Sequence, residues 1–194
     1  MAAADAAGPW LVIGLGNPGP SYAATRHNIG ARVVEVLADR VRASFKSHKT
    51  RADVVETRFA ADRVVLAKPR SYMNESGGPV CALRDFFKSS PDRMVVVHDE
   101  LDLPFGALRV KSGGGDNGHN GLKSLRRSLG TGEFYRVRVG IGRPPGRQDP
   151  ADWVLREFSG TDRKELDLIV ERAADAVESL LSDGLAAAQN VYND

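Results

Sequence analysis

"LVIGLGNPGP", residues 11–20, decides how this chain is read. Gly14, Gly16 and Gly19 satisfy G-x-G-x-x-G, and the apolar run before them, residues 10–15, reads as a strand. A dinucleotide-binding loop opens a helix at once, leads to a second strand, and meets an acidic residue about 20 positions on that binds the ribose. Here "NPGPSY" sets two prolines around the third glycine, and no strand pattern returns before about residue 52. Glu35 and Asp39, at the distance where the ribose carboxylate belongs, fall inside an amphipathic helical pattern. The first βαβ unit is missing, and no G-K-[ST] follows to make a phosphate-binding P-loop. The glycines are better read as letting the backbone turn sharply and deliver Asn17 to the carboxyl end of a strand, where open α/β sheets collect their ligands.

Outward from that loop the pattern alternates. From Ile29, the positions Val33, Val34, Val36, Leu37 and Val41 follow helical spacing. Residues 52–59 and 62–68 alternate as two paired strands with a tight turn between them. Pro79 opens a helix through about Lys88, a placement that suits a first helical turn. "RMVVVHD" and "ALRVK" read as strands, and the second runs into "SGGGDNGHNG". A helix follows to Leu129 and stops at Gly130, then "YRVRVGIG" forms a strand with basic residues on one face. Residues 151–157, 161–182 and 184–190 are helical, with Thr161 as N-cap of the middle one. The implied fold is α/β, a single domain with a twisted mixed sheet flanked by helices. Residues 1–9, small and polar, read as a disordered N-terminal extension, and residues 10–194 as the catalytic domain.

Composition narrows the class. The 194 residues suit one compact domain, 42% are hydrophobic and 27% charged, and no apolar run reaches membrane-spanning length. "MAAADAAGP" lacks the charged and apolar regions of a secretory signal, and Cys81 is the only cysteine, so a disulfide or cysteine cage within the chain is excluded. A cytoplasmic protein is the simplest expectation. The formal charge is only +2, yet residues 106–147 carry +7 and the remainder −5. Such a stretch is either a solvated face or a surface for a polyanion.

Several strand ends deliver polar groups: Asn17 after the first, Asn74 in "YMNESGG", and His98, Asp99 and Asp102 in "HDELD". His119 and Asn120 close the glycine loop, and His27 stands in "TRHNIG". A histidine, a carboxylate and several amides suit attack of water on a carbonyl, the imidazole removing a proton and the amides holding the oxyanion. The same residues have plainer uses: asparagine beside glycine or proline builds turns, and His119-Asn120 could cap a helix. A metal site from His27, His98, Asp99 and His119 lacks a recognised ligand spacing. No G-x-S-x-G elbow is present, and Cys81 lies away from any histidine, so a covalent nucleophile has little support. The residues by themselves lead to an α/β hydrolase or ligand-binding domain with a basic flank.

Taken together, "VIGLGNPGPSYAATRHNIG", "KPRSYMNESG", "HDELDLPFGALRVKSGGGDNGHNGLKS" and "YRVRVGIGRP" closely resemble bacterial peptidyl-tRNA hydrolase, in order, from about Leu11 to Gln189. The resemblance implies a monomeric, metal-free enzyme without cofactors that cleaves the ester between a peptide and the terminal ribose of tRNA. By that likeness His27 is the general base, Asp99 its orienting partner, and Asn17 the residue that separates blocked from free aminoacyl groups. Asn74 and Asn120 position the substrate near the scissile ester, Tyr22, Tyr72 and Met73 line the cleft, and His119 joins the substrate-binding set. Lys111 and Arg138 match the residues that grip the tRNA 5′ phosphate. The implied partner is the acceptor end of peptidyl-tRNA, with no membrane and no obligate protein partner. Asn117 departs from the commoner pattern where the loop often has another glycine, Arg109 stands where some relatives carry lysine, and the usual basic or histidine-bearing tail is missing after "NVYND". The alternative is a non-enzymatic, splicing-factor-like RNA binder of the same fold, which would keep the basic surface and need no turnover.

Overall fold

The structure is a computed structural model and describes residues 7–194. Seven strands form one mixed sheet, β1 Trp10–Gly14, β2 Lys46–His48, β3 Ala52–Phe59, β4 Asp62–Pro69, β5 Met94–Glu100, β6 Leu108–Ser112 and β7 Tyr135–Gly140. Their order across the sheet is β2-β3-β4-β1-β5-β7-β6. The central four, β4, β1, β5 and β7, run parallel, while β2, β3 and β6 add antiparallel edges. The parallel block is buried on both faces, which is why "MVVVHDE" is apolar until its last three residues and buried throughout. Because these four strands point the same way, the segments after β1, β4 and β5 emerge at one edge of the sheet.

Helices α1 Ile29–Arg40, α5 Gly160–Asp183 and α6 Leu185–Tyr192 cover one face. Helices α2 Gly77–Phe87 and α3 Asn120–Leu129 cover the other, and a short helix, α4 Pro150–Val154, lies beside the Arg26–Asn28 turn. The outer edge of β6 is closed by side chains rather than by a strand. Asn193 Oδ1 accepts from Val110 N at 2.6 Å, its Nδ2 and Gln189 Nε2 donate to Val110 O, and Asp194 accepts from Leu108 N. Covering an edge in this way removes a template for pairing with another chain.

The α/β architecture and nearly every element expected from the pattern are present. Two differences have local causes. Strand β2, Lys46–His48, is exposed and only three residues long, too short and polar for a period-2 signal. The long helix α5 starts one residue earlier than expected, and its cap is Ser159, whose hydroxyl accepts from Asp162 N at 3.1 Å, not Thr161. The extension expected to be disordered over residues 1–9 falls largely outside the described residues. Within them Gly8 and Pro9 are buried, and Pro9 O accepts from Ser89 Oγ at 2.8 Å.

The glycines of the opening loop serve packing. A Cβ on Gly14 would stand 2.5 Å from Gly30 O, and one on Gly30 would stand 2.1 Å from Val97 O. Helix α1 therefore lies against β1 and β5 at a distance only two glycines allow. Gly19, with φ +98°, takes the left-handed backbone that a side chain resists. We expect Gly30→Ala to destabilise the fold by at least roughly 3 kcal/mol, because the obstructing atoms are backbone and cannot yield. Urea unfolding of the purified variant measures this, and a loss within about 0.5 kcal/mol of wild type would show that the helix can move away freely.

Candidate active site

The close seating of α1 brings the preceding turn, Arg26–Asn28, over the end of β5. Arg26 anchors that turn. It is buried, its guanidinium lies 3.5 Å from the Trp153 ring centre, and it donates to the carbonyls of Trp153 and Arg156. His27 is thereby turned toward Asp99, and Nδ1 lies 2.9 and 3.0 Å from the two carboxylate oxygens. On the other side His119 Nε2 lies 2.8 Å from Asp99 Oδ1. A carboxylate only accepts, so each of these ring nitrogens carries its proton. His27 Nε2 is then the bare nitrogen of a neutral ring. His119 Nδ1 is likewise an acceptor, and it takes Gly121 N at 3.1 Å and Leu122 N at 3.3 Å. His119 is therefore the N-cap of α3 and an Asp99 donor together, with both ring nitrogens occupied inside the protein.

The electrostatics follow from this sandwich. Burial works against the Asp99 carboxylate, but the charges and hydrogen bonds of His27 and His119 outweigh it and hold the group far below the ordinary carboxylate range. For His27, burial disfavours the imidazolium, and the adjacent Asp99 charge and hydrogen bond more than reverse that, so its pKa is raised. His98, beside Asp99 on β5, meets the trio edge-on at His119, with ring centres 5.0 Å apart. Its Nδ1 donates to Asp99 O at 2.7 Å, and burial, then the neighbouring His119, push it down to about 3. Of the four residues weighed as metal ligands, His27, Asp99 and His119 do converge, with ligand atoms within 4.8 Å of one another. In this structure those groups are engaged with one another, one nitrogen of each ring donating to Asp99.

The amides come from the other strand ends. Asn17 Oδ1 accepts from Met73 N at 2.7 Å, which ties the loop after β1 to the 3₁₀ turn Met73–Glu75 after β4. The backbone of Asn17 is clasped by Asn28, whose Oδ1 accepts from Asn17 N and whose Nδ2 donates to Asn17 O, both at 2.9 Å. Asn28 is buried, and sequence reasoning missed it; its only signal was its place beside His27 ahead of the helix. Met73 is buried at the foot of α3, its sulfur beside Gly121, while Asn74 is exposed on the same turn. Tyr22 and Tyr72 meet edge to face with ring centres 6.2 Å apart, and Tyr72 is largely exposed. Asn120 is the first residue of α3 and lines a cavity of about 130 Å³ with His27, Asp99 and His119.

Lys111 and Arg138 line a second cavity, about 240 Å³, together with Arg136. Arg136 and Arg138 share one face of β7, as alternation requires, but their uses differ. Arg136 is 1% exposed and donates to the carbonyls of Gly114, Gly115 and Gly132, so it shapes the glycine loop from below. Arg138 gives Nε and Nη2 to Glu100 Oε1 at 3.0 and 2.9 Å. Asn117, in the left-handed region at φ 50°, joins that network, with Nδ2 donating to Glu100 and Asp102. The Asn117 side chain thus fastens the loop.

A sequence profile of the peptidyl-tRNA hydrolase family matches residues 11–194. The chain belongs to the peptidyl-tRNA hydrolase family. It is 63% identical to a Frankia casuarinae peptidyl-tRNA hydrolase over 186 residues, covering 96% of this chain and 94% of that one. To the Streptomyces coelicolor peptidyl-tRNA hydrolase it is 61% identical, covering 97% of each. The crystal structure of peptidyl-tRNA hydrolase from Acinetobacter baumannii superposes with a TM-score of 0.89 at 34% identity, covering 96% of this chain and 95% of that one. Family membership makes the chain a hydrolase and agrees with the open mixed sheet described above. Among the described residues no helix is long and apolar enough to cross a membrane.

The raised His27 pKa has a measurable sign. If neutral His27 is the working form, kcat/KM falls on the acid side with a midpoint above the ordinary imidazole value of about 6.5. Asp99→Asn removes the charge that raises it and leaves burial, which lowers it, so the midpoint should drop below about 6.5 as the maximal rate falls. A pH–rate profile of both proteins on blocked aminoacyl-tRNA checks this; an unmoved acid limb in the variant would separate Asp99 from the titrating group.

Proposed function

We propose that the chain hydrolyses the ester between a peptide and the terminal ribose of tRNA, with His27 Nε2 as the general base that activates water. The observation that carries this reading is the His27–Asp99–His119 hydrogen-bonded trio, which leaves one bare imidazole nitrogen beside a cavity that Asn117 and Asn120 also line. Asp99 holds the ring in its tautomer and stabilises the imidazolium that forms as water loses its proton. His119 restrains the far side of the carboxylate without using a nitrogen on substrate. The asparagines supply neutral N–H donors: Asn74 and Asn120 near the ester carbonyl, where negative charge develops, and Asn17 toward the acylated amine of the first residue. Asn17 suits that task because its Oδ1 is spent on Met73 N, which leaves Nδ2 as a donor of settled orientation. Such a site accepts a blocked amide and has no acceptor of its own to offer a free ammonium.

The family resemblance supports a cytoplasmic, monomeric enzyme working without a metal. A carboxyl ester with a ribose leaving group needs no more than a base, its orienting carboxylate and oxyanion donors. Tyr22, Tyr72 and Met73 form the apolar side of the cleft. Lys111 and Arg138 grip the 5′ phosphate. Lys111 makes no ion pair among the described residues, and its neighbours Arg136 and Arg138 leave a positive field that Glu100 only partly offsets.

His27→Ala should lower the turnover of blocked aminoacyl-tRNA by ~10²–10⁴-fold, with tRNA affinity by filter binding unchanged. Near-wild-type turnover would end the general-base assignment. Lys111→Ala and Arg138→Ala should instead raise KM and make the salt dependence of tRNA binding shallower, by a log–log slope of roughly 0.7–0.9 per lost contact. Titration with tRNA bearing or lacking its 5′ phosphate locates the effect. If both variants discriminate between the two as well as wild type does, the phosphate is held elsewhere.

A further inference from the structure

Beside the loop that follows β1 lies a cavity of about 390 Å³, three times the size of the one at His27 and within the range of sites that take small ligands. Helix α1 lines it through Ala31, Arg32 and Glu35, and the ends of β3 and β4 through Asp53 and Lys68. Asn17 and Asn28, the residue next to His27, line it too, whereas His27 and Asp99 do not. Its charges are answered within the protein. Lys68 Nζ lies 2.9 Å from Glu35 Oε1, Arg70 Nη1 lies 3.1 Å from Asp53 Oδ1, and Arg32 reaches Asp167 at 3.5 Å. Pro18, Pro20 and Pro69 bring no backbone N–H to the walls, and Ala23 adds a methyl group at the exposed rim. Such a lining offers mainly contact area, which suits a guest whose side chains vary.

The order of strands decides which part of the substrate reaches this space. From His27 and Asp99 at the end of β5, Lys111 and Arg138 lie toward β6 and β7, while Asn17 and the cavity lie toward β1, β4 and β3. With the ester at His27 and the tRNA toward β7, the peptide leaves past Asn17. We propose that this cavity is the subsite for the peptide residues that precede the esterified one, and that it takes them by size and not by charge. The inference rests on the reading that the chain cleaves peptidyl-tRNA at His27. A single blocked aminoacyl group ends at Asn17 and leaves the cavity unfilled. A peptidyl group of two or more residues carries a side chain into it and gains the contact of its walls.

The test uses the full-length protein and one tRNA esterified with N-acetyl-Ala, N-acetyl-Leu-Ala, N-acetyl-Glu-Ala or N-acetyl-Lys-Ala. The Leu-Ala ester should exceed the N-acetyl-Ala ester in kcat/KM by roughly tenfold, the order expected from burying part of a leucine side chain. The Glu-Ala and Lys-Ala esters should agree within roughly threefold, since the lining charges are already paired. Ala23→Trp at the rim and Glu35→Phe on α1 should fill the cavity, remove the tenfold gain and leave the N-acetyl-Ala ester unchanged. In the wild type, the backbone amides of Ala31 and Glu35 should respond to the product N-acetyl-Leu-Ala and not to N-acetyl-Ala, which decides the matter even if neither variant folds. Equal rates on the N-acetyl-Ala and Leu-Ala esters, a gain that survives in either folded variant, or silence of those amides overturns the subsite. A wider gap between the Glu-Ala and Lys-Ala esters overturns selection by size. If the wild type cleaves none of the esters, the proposed reaction falls, and this inference with it.

Discussion

An ionised carboxylate buried at the end of a central strand survives only if donors come to it, and Asp99 is met by two imidazoles from opposite faces of the sheet. Taking such a charge out of water costs several kcal/mol, and paired charge-assisted hydrogen bonds are the means of recovering it. Much of the surrounding architecture serves those two contacts. Gly14 and Gly30 let α1 press against the sheet, so that the turn carrying His27 overhangs β5. His119 reaches Asp99 only because it also caps α3, and the glycine loop that leads to it is shaped by Arg136 and fastened by Asn117. One buried charge therefore draws on α1, α3, β5 and the glycine loop.

The same arrangement fixes proton positions. Asp99 takes one N–H from each ring, so the tautomers of both histidines follow from geometry. His27 keeps a free nitrogen at the cavity, whereas His119 has none left over. Two histidines with similar partners thus have different capacities, and the difference comes from the backbone amides of Gly121 and Leu122, which claim the second nitrogen of His119.

The basic stretch is less uniform than its charge of +7 suggests. Arg126 is paired with Asp116, Arg143 with Asp102 and Arg138 with Glu100, and Arg136 is buried on carbonyl oxygens. A good part of the positive charge holds the glycine loop and its surroundings in place. Arg109, Lys123, Arg127 and Arg147 are exposed, and like Lys111 they make no ion pair among the described residues.

The order of strands and helices was legible in the sequence, because the parallel core strands are continuous apolar runs and the helices carry period-3.6 stripes ended by glycine. The failure of the dinucleotide fingerprint was legible too, since prolines and a helix stood where a second strand was required. The four long motifs carried the resemblance, and with it His27, Asp99 and Asn17. Tertiary structure alone decided what a lone residue letter cannot encode. Asn28 as the clasp on Asn17, Arg136 turned inward while Arg138 stays at the cavity, and His119 as cap and donor at once each depend on a partner 11 to 38 positions away in the chain. Local propensity says which element a residue occupies; which lone pair or N–H it has left for chemistry is settled only when the chain folds and the others are used.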